Sequence, residues 1–293
     1  MSELREDVLS GDWVAIAPGR KNLGAARPAG LPPVDRARCP FCPGHEAETE
    51  ATVLAIGDPW RVRVVANKFP LTPVHEVVIE SRDHDADLTR SDPADAAEVL
   101  RAIRDRTRAI ASLSGLASIS IFRNRGRRAG SSQPHPHAQI VGLPVVPPDV
   151  ARRAAIAARD PDVLARSIER ERNDATRVIE DRDGWITYCP YASRRAWETR
   201  IAPTFAVERL GDLDDAQLAT LAGRLVRALA RIAAVVGDPD YNLIVRDPPL
   251  GARGAFTLDL LPRTGGDAGF EIQSGMGVCV VAPEEAARLY RGG

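Results

Sequence analysis

The sequence predicts an α+β fold of two similar halves, with an antiparallel sheet and flanking helices. Three observations predict it: the chain matches itself at an offset of 122, an apolar stripe at helical spacing recurs at that offset, and each copy closes on a β-type run ending in Leu-Pro, at 143 and 261.

Taken in chain order, Arg63-Val64-Val65-Ala66-Asn67 lies over Trp185-Ile186-Thr187-Tyr188-Cys189, and His75-Glu76-Val77 over Trp197-Glu198-Thr199. Leu88 then meets Leu210. Val99, Ile103 and Ile110 meet Leu221, Leu225 and Ile232, at a spacing that puts each trio on one helical face. Ser91-Asp92-Pro93 and Asp214-Asp215 are suited to start these helices, because a short polar side chain can accept from first-turn N–H groups. Gly115 and Gly237 stand where the helices should stop. Each helix is followed by a β-type run (Ser118 to Arg123; Asn242 to Val245), a polar Gly/Pro-rich loop, and the closing run, where a shorter second loop reduces the offset to 118. The repeating unit is strand, strand, helix, strand, loop, strand. We therefore expect a first half over 1–146, an Ala- and Arg-rich helical connector over 147–183, and a diverged second half over 184–293. The first half has His84, His135 and His137 where the second has Ala206, a shortened loop and Ala255. That difference assigns the chemistry to the first half.

Composition narrows the class of partner. Of 293 residues, 44% are hydrophobic and 27% charged, with a net charge of −1. Such a balance suits a soluble enzyme acting on a small charged metabolite and argues against nucleic acid or an anionic membrane as partner. The N-terminal residues lack the apolar core of a signal peptide, and no run approaches the roughly 18 apolar residues of a membrane span. A cytoplasmic protein is expected. Cys39 and Cys42 form a Cys-x-x-Cys while Cys189 and Cys279 stand alone, which is not a disulfide framework.

All five histidines lie between residues 45 and 137. In Pro134-His135-Pro136-His137-Ala138-Gln139, an extended backbone would point 135, 137 and 139 to one face. The two prolines stiffen that segment and leave carbonyls free to orient an imidazole. A neutral histidine with one nitrogen free and the other donating to a fixed acceptor is a nucleophile towards phosphorus. The preceding loop, Asn124-Arg125-Gly126-Arg127-Arg128-Ala129-Gly130-Ser131-Ser132, offers glycines, backbone N–H groups, hydroxyls and cations to a phosphate.

Asn124-Arg125-Gly126, followed without a gap by Pro134-His135-Pro136-His137-Ala138-Gln139, resembles the signature of the galactose-1-phosphate uridylyltransferases, a family of the histidine triad superfamily. The resemblance extends to Trp13–Arg20, Cys39–Gly44, Ala66–Pro70, Leu261-Pro262-Arg263 and Gly269-Phe270-Glu271. It implies tandem histidine-triad-like halves and a covalent nucleotidyl-histidine intermediate on His137, with the His135 carbonyl holding its other nitrogen. It implies that Gln139 hydrogen-bonds the phosphoryl group, that Ser131 and Ser132 contact phosphate, and that Arg20, Asn67 and Asn124 bind nucleotide or phosphate. Glu271 matches a contact to hexose hydroxyls.

The same resemblance pairs Cys39 and Cys42 with His84 and His135 as ligands of one zinc, whose hold on His135 would brace the carbonyl that orients His137. His45 and His75 are read as non-ligands. Relatives often carry His-x-His where this chain has Ala255-Phe256-Thr257, so a second metal site is not expected. The expected activity is exchange of a nucleoside monophosphate between a nucleotide sugar and a sugar 1-phosphate, uridine with glucose and galactose being the family default. The alternatives are a nucleoside-diphosphate-sugar phosphorylase, such as one acting on ADP-glucose, and a nucleotide-binding protein that has lost turnover. Family members are commonly dimers, so a homodimer is a further expectation.

Overall fold

The structure, a computed structural model, describes residues 2–20 and 36–292. The strands are β1 (Glu3–Asp7), β2 (Asp12–Ile16), β3 (Thr52–Ile56), β4 (Val62–Ala66), β5 (Val74–Ile79), β6 (Ser118–Arg125), β7 (His137–Leu143), β8 (Val178–Arg182), β9 (Trp185–Tyr188), β10 (Thr199–Pro203), β11 (Tyr241–Arg246), β12 (Thr257–Pro262) and β13 (Gly277–Cys279). The helices are α1 (Pro93–Ala111), α2 (Pro148–Arg159), α3 (Val163–Asp174), α4 (Asp215–Val236), α5 (Gly269–Ser274) and α6 (Pro283–Gly292).

Ten strands form one sheet in the order β3-β4-β5-β7-β6-β11-β12-β10-β9-β8. The order is nearly its own mirror image about the β6–β11 pair, where Asn124 lies opposite Asn242. Two half-sheets of the same topology are therefore joined edge to edge, the relation expected of a tandem repeat. The α+β class and the histidine-triad-like halves stand.

The recurring helices α1 and α4 pack on the same sheet face, and Val99, Ile103 and Ile110 share one core with Leu221, Leu225 and Ile232. Asp92 caps α1 by accepting from Ala94 N–H, and Asp214 with Gln217 forms a full capping box on α4. Gly237 ends α4 in the left-handed region at φ 81°, whereas α1 ends at Ala111, short of Gly115.

Two elements differ from the sequence expectation. Each half-sheet carries a further strand at its outer edge, β3 or β8. The connector is helical only over α2 and α3, then supplies β8, which pairs with β9. The strand offset also changes. Val64 and Trp185 both face the common core, as do Ala138 and Phe256, and Ile140 and Leu258. The last two pairs keep the offset of 118, but β4 and β9 match at 121 rather than 122, since a slip of one residue turns every side chain to the other face. His75 pairs with Val141, and the corresponding residue opposite Asp259 is Arg200, not Trp197.

The other face of the sheet is covered differently in the two halves. Over the first, Val65, Val77 and Ile79 pack against Phe41 and Trp60. Over the second, Ile168 of α3 packs on Ile186, Tyr188 and Ala202. There the position of His75 is filled by the buried Arg200–Asp259 ion pair, with Nε 2.8 Å from Oδ1. The second half uses this face for structure, leaving the first half free to build a site on it.

Candidate active site

Pro134 and His135 form a bend before β7, and Glu80 N–H donates to the Pro136 carbonyl, continuing the β5–β7 ladder at a residue that has no N–H of its own to pair. His137 begins β7 opposite Ile79 and is 7% exposed. Its Nδ1 donates to the His135 carbonyl over 2.9 Å. The proton is thereby fixed on Nδ1, and the lone pair lies on Nε2. Burial, opposed by the His135 carbonyl and aided by the Arg123 charge, holds the His137 pKa below its ordinary value. The ring is neutral at neutral pH, the state that a nucleophile needs.

His135 is fully buried. Its Nε2 donates to the Ser81 carbonyl at 2.8 Å, and its Nδ1 faces Cys39 and Cys42, 3.7 and 3.6 Å from the two sulfurs. His84 Nδ1 is 3.3 Å from the Cys42 sulfur. These four ligand atoms lie within 4.8 Å of one another. Bonds of about 2.0 and 2.3 Å at tetrahedral angles require sulfur–nitrogen separations of roughly 3.5 Å, so the four residues fit a tetrahedral ion. Burial, with the neighbouring Cys39, pushes the Cys42 thiol up to about 11, and burial brings His135 down to about 4. A cation that displaces the thiol protons would be held by two thiolates and two neutral imidazoles. His45 takes no part as a ligand; its Nδ1 donates to the Cys39 carbonyl over 2.6 Å and shapes the knuckle.

Phe41, between the two cysteines, stands edge-on to both imidazoles, with its ring centre 5.4 Å from that of His137. It gives the nucleophile an apolar neighbour. The sequence marked only its flanking cysteines.

Gln139 follows on the same face of β7. Its Oε1 is 2.9 Å from His75 Nε2. Asn67 closes the other side of that histidine, with its Oδ1 accepting from Phe69 N–H. The loop leading to His135 is held by Asn242, whose amide donates to Asn124 Oδ1 and to the Ala129 carbonyl, both at 2.8 Å. Gly126, at φ +80°, lies so close to Asp240 that a Cβ would overlap its carboxylate. That contact lets Asp240 accept from Arg128 N–H.

Ser131 is buried and donates to the Gln133 carbonyl at 2.6 Å, whereas Ser132 is exposed. Arg125 is tied to Asp87 and Asp238, which makes it a brace between the halves. Arg20 and Glu271 line a separate cavity of about 690 Å³ beside Arg194 and Arg195, and His137 is not in its walls. Glu271 accepts from Ala268 N–H at the start of α5. The structure thus brings His137, Gln139, Asn67, Asn124, Ser131 and the four ligand residues into one region of the first half, and sets Arg20 and Glu271 apart.

One consequence concerns pH. Because the folded pKa of His137 is depressed, the ring stays neutral as pH falls through the usual histidine range of about 6.5. The unfolded chain takes up this proton first, so stability contributed by the neutral ring is present above about pH 6.5 and is lost as pH falls below it. The rate of attack on a nucleotide is expected to stay level from pH 7.5 to about 6.5 and to decline only at lower pH. Single-turnover rates across this range check it, and a rate that already halves near pH 7 contradicts a depressed pKa.

Comparison with known proteins finds relatives along the chain. Residues 70–147 match the family described as Galactose-1-phosphate uridyl transferase, N-terminal domain. ADP-glucose phosphorylase of Arabidopsis thaliana is 29% identical, over 99% of this chain and 92% of its own length. Galactose-1-phosphate uridylyltransferase of Streptomyces lividans is also 29% identical, over 81% of this chain and 66% of its own length. The crystal structure of an ADP-glucose phosphorylase from Arabidopsis thaliana with bound ADP-glucose superposes with a TM-score of 0.88 at 28% identity, covering 99% of both chains. No described helix is long and apolar enough to cross a membrane.

Proposed function

We propose that this chain, a relative of the galactose-1-phosphate uridylyltransferases, moves a nucleoside monophosphate from a nucleotide sugar to a second phosphate by way of His137. The observation that carries the proposal is the buried His137 ring, with Nδ1–H fixed on the His135 carbonyl and Nε2 free. In the first step Nε2 bonds to the α-phosphorus and the bond from that phosphorus to the bridging oxygen breaks, releasing a sugar 1-phosphate. The imidazole becomes cationic, and its Nδ1–H, aimed at a carbonyl dipole, spreads that charge. A phosphate leaving group is a stable anion and needs no proton. This suits a neutral amide, Gln139, beside the reacting centre in place of an acid. In the second step an oxygen of the incoming phosphate bonds to phosphorus and His137 departs as the neutral ring.

Cys39, Cys42, His84 and His135 would hold zinc, the ion whose preference is for two thiolates and two imidazoles. Bound there, it supplies rigidity to His135 and no chemistry at phosphorus. Asn124, Ser131 and Ser132 would place phosphate oxygens, and Asn67 would form part of the nucleoside pocket. Arg20 and Glu271 would serve the sugar side, which in a dimer could be completed by a second copy.

The acceptor separates two readings. The likeness along nearly the whole chain to an ADP-glucose phosphorylase supports inorganic phosphate with an adenine nucleotide; the match over 70–147 supports a hexose 1-phosphate with uridine. We favour the phosphorylase reading because its likeness runs over 99% of this chain, against 81% for the Streptomyces lividans uridylyltransferase, and because Ala255 and Thr257 stand where many uridylyltransferases carry histidines. Enzyme labelled from ADP-glucose or UDP-glucose can be chased with inorganic phosphate, glucose 1-phosphate or galactose 1-phosphate. Faster discharge by inorganic phosphate is expected. Faster discharge by galactose 1-phosphate would instead support hexose exchange.

A further inference from the structure

The sequence reads His75 as a non-ligand, and it is absent from the metal cluster. Its surroundings nevertheless give it a defined task. The ring is 4% exposed, on β5 next to β7. The backbone N–H of Leu71 donates to its Nδ1 at 3.0 Å. A neutral imidazole that accepts at Nδ1 carries its proton on Nε2. Nε2–H therefore points at Gln139 over 2.9 Å, and only the carboxamide oxygen can face it. The Asn67 amide nitrogen lies 3.3 and 3.1 Å from the two ring nitrogens, so it rests over the ring face and does not compete for the in-plane bond.

We infer that His75 is a positioning residue for nucleotidyl transfer, fixing the polarity of the Gln139 carboxamide so that its N–H groups face the transferring phosphoryl oxygens. The inference rests on the nucleotidyl-His137 reading and adds a residue to it. A carboxamide has two orientations related by a half-turn, and they are opposite in their effect on an anion. One offers two donors; the other offers a partial negative charge. The Leu71 N–H, through the His75 tautomer, selects the first before substrate arrives, which is preorganisation in the sense that lowers a transfer barrier. The second half has no counterpart, because Arg200 stands in the place of His75 and Thr257 in that of Gln139.

Substitutions at His75 separate positioning from packing. His75→Asn can still accept from Leu71 N–H but is too short to reach Gln139, while His75→Gln can place an amide donor where Nε2 stood. Single-turnover labelling of the enzyme from ADP-glucose and UDP-glucose is measured in each, together with metal content. His75→Asn is expected to lose about tenfold in labelling rate and His75→Gln to recover to within about threefold of the parent, with metal unchanged. In a Gln139→Ala background, His75→Asn should cost less than about twofold, because the group through which it acts is gone. A tenfold loss that persists in the Gln139→Ala background, or equal losses in the Asn and Gln variants, overturns the inference while labelling of the parent enzyme leaves the His137 reading intact. A parent enzyme that takes no label from either donor overturns both.

Discussion

His137→Ala is expected to take no covalent label from a nucleotide sugar and to lose at least about 10³-fold in turnover. The loss should appear in kcat, since Gln139 keeps its place on β7 and the other groups assigned to binding lie elsewhere: Asn67 in the β4–β5 loop, Asn124 on β6, Ser131 in the loop before His135. Folding should survive. The ring is buried, but among the described residues its one polar contact is to a carbonyl two residues away, and truncation removes both the ring and its need for that contact. Equilibrium binding of ADP-glucose to the variant, measured by calorimetry, separates the two effects: retained affinity with absent turnover is the expected pair. Turnover within tenfold of the parent would move the nucleophile elsewhere.

Cys39→Ser is the second large effect, and it acts at a distance. Cys39 is fully buried, within reach of His135 Nδ1. Replacing one of two thiolates by a hydroxyl weakens the hold on a soft divalent ion, and His135 then keeps only the Ser81 carbonyl as its anchor. Metal analysis should fall from about one zinc per chain towards none. Loss of a structural ion and exposure of its ligands should cost several kcal/mol, or a melting temperature lower by roughly 10 °C for a chain of this size. The labelling rate should fall with it, less than in His137→Ala, because the nucleophile remains but its carbonyl brace is loose. A variant with parental melting temperature and no metal would show that the cysteines do not bind a structural ion. A second stoichiometric metal in the parent protein would contradict the assignment of Ala255 and Thr257 as non-ligands.

Much of this was legible in the sequence, and the reasons differ by element. The helices α1 and α4 were readable because a 3.6-residue period survives in a surface helix and because Asp92 and Asp214 mark their starts. The catalytic segment was readable because its geometry is local: His137 and Gln139 alternate onto one face of β7, while His135 sits in the bend just before it rather than on an extended run. The exact match of β4 to β9 was not, since both strands are buried on both faces and alternate in no visible way. β8 escaped notice inside an Arg- and Ala-rich stretch because it is short, with charged residues at three of its five positions.

The contact between His75 and Gln139 was hidden for another reason. It depends on β5 lying beside β7, although β6 is the strand that precedes β7 in the chain, and adjacency of that kind has no local signal. Asn242 was similarly concealed, since its bonds to Asn124 and Ala129 cross the junction of the two halves. Phe41 could have been singled out, because an aromatic ring inside a Cys-x-x-Cys has few places to go except over the ligands. Arg20 and Glu271 belong to the resemblance alone: they line a cavity whose walls do not include His137, and no spacing argument links the two regions.

The claim on which the rest depends is a covalent bond between His137 and a nucleotide. Protein mixed with ADP-glucose or UDP-glucose, quenched in alkali and digested, can be mapped by mass spectrometry for the addition of one nucleoside monophosphate. The account predicts that modification on His137 alone, acid-labile and removed by an acceptor phosphate. Modification at another residue, or release of a sugar 1-phosphate with no modified peptide during steady turnover, would contradict it.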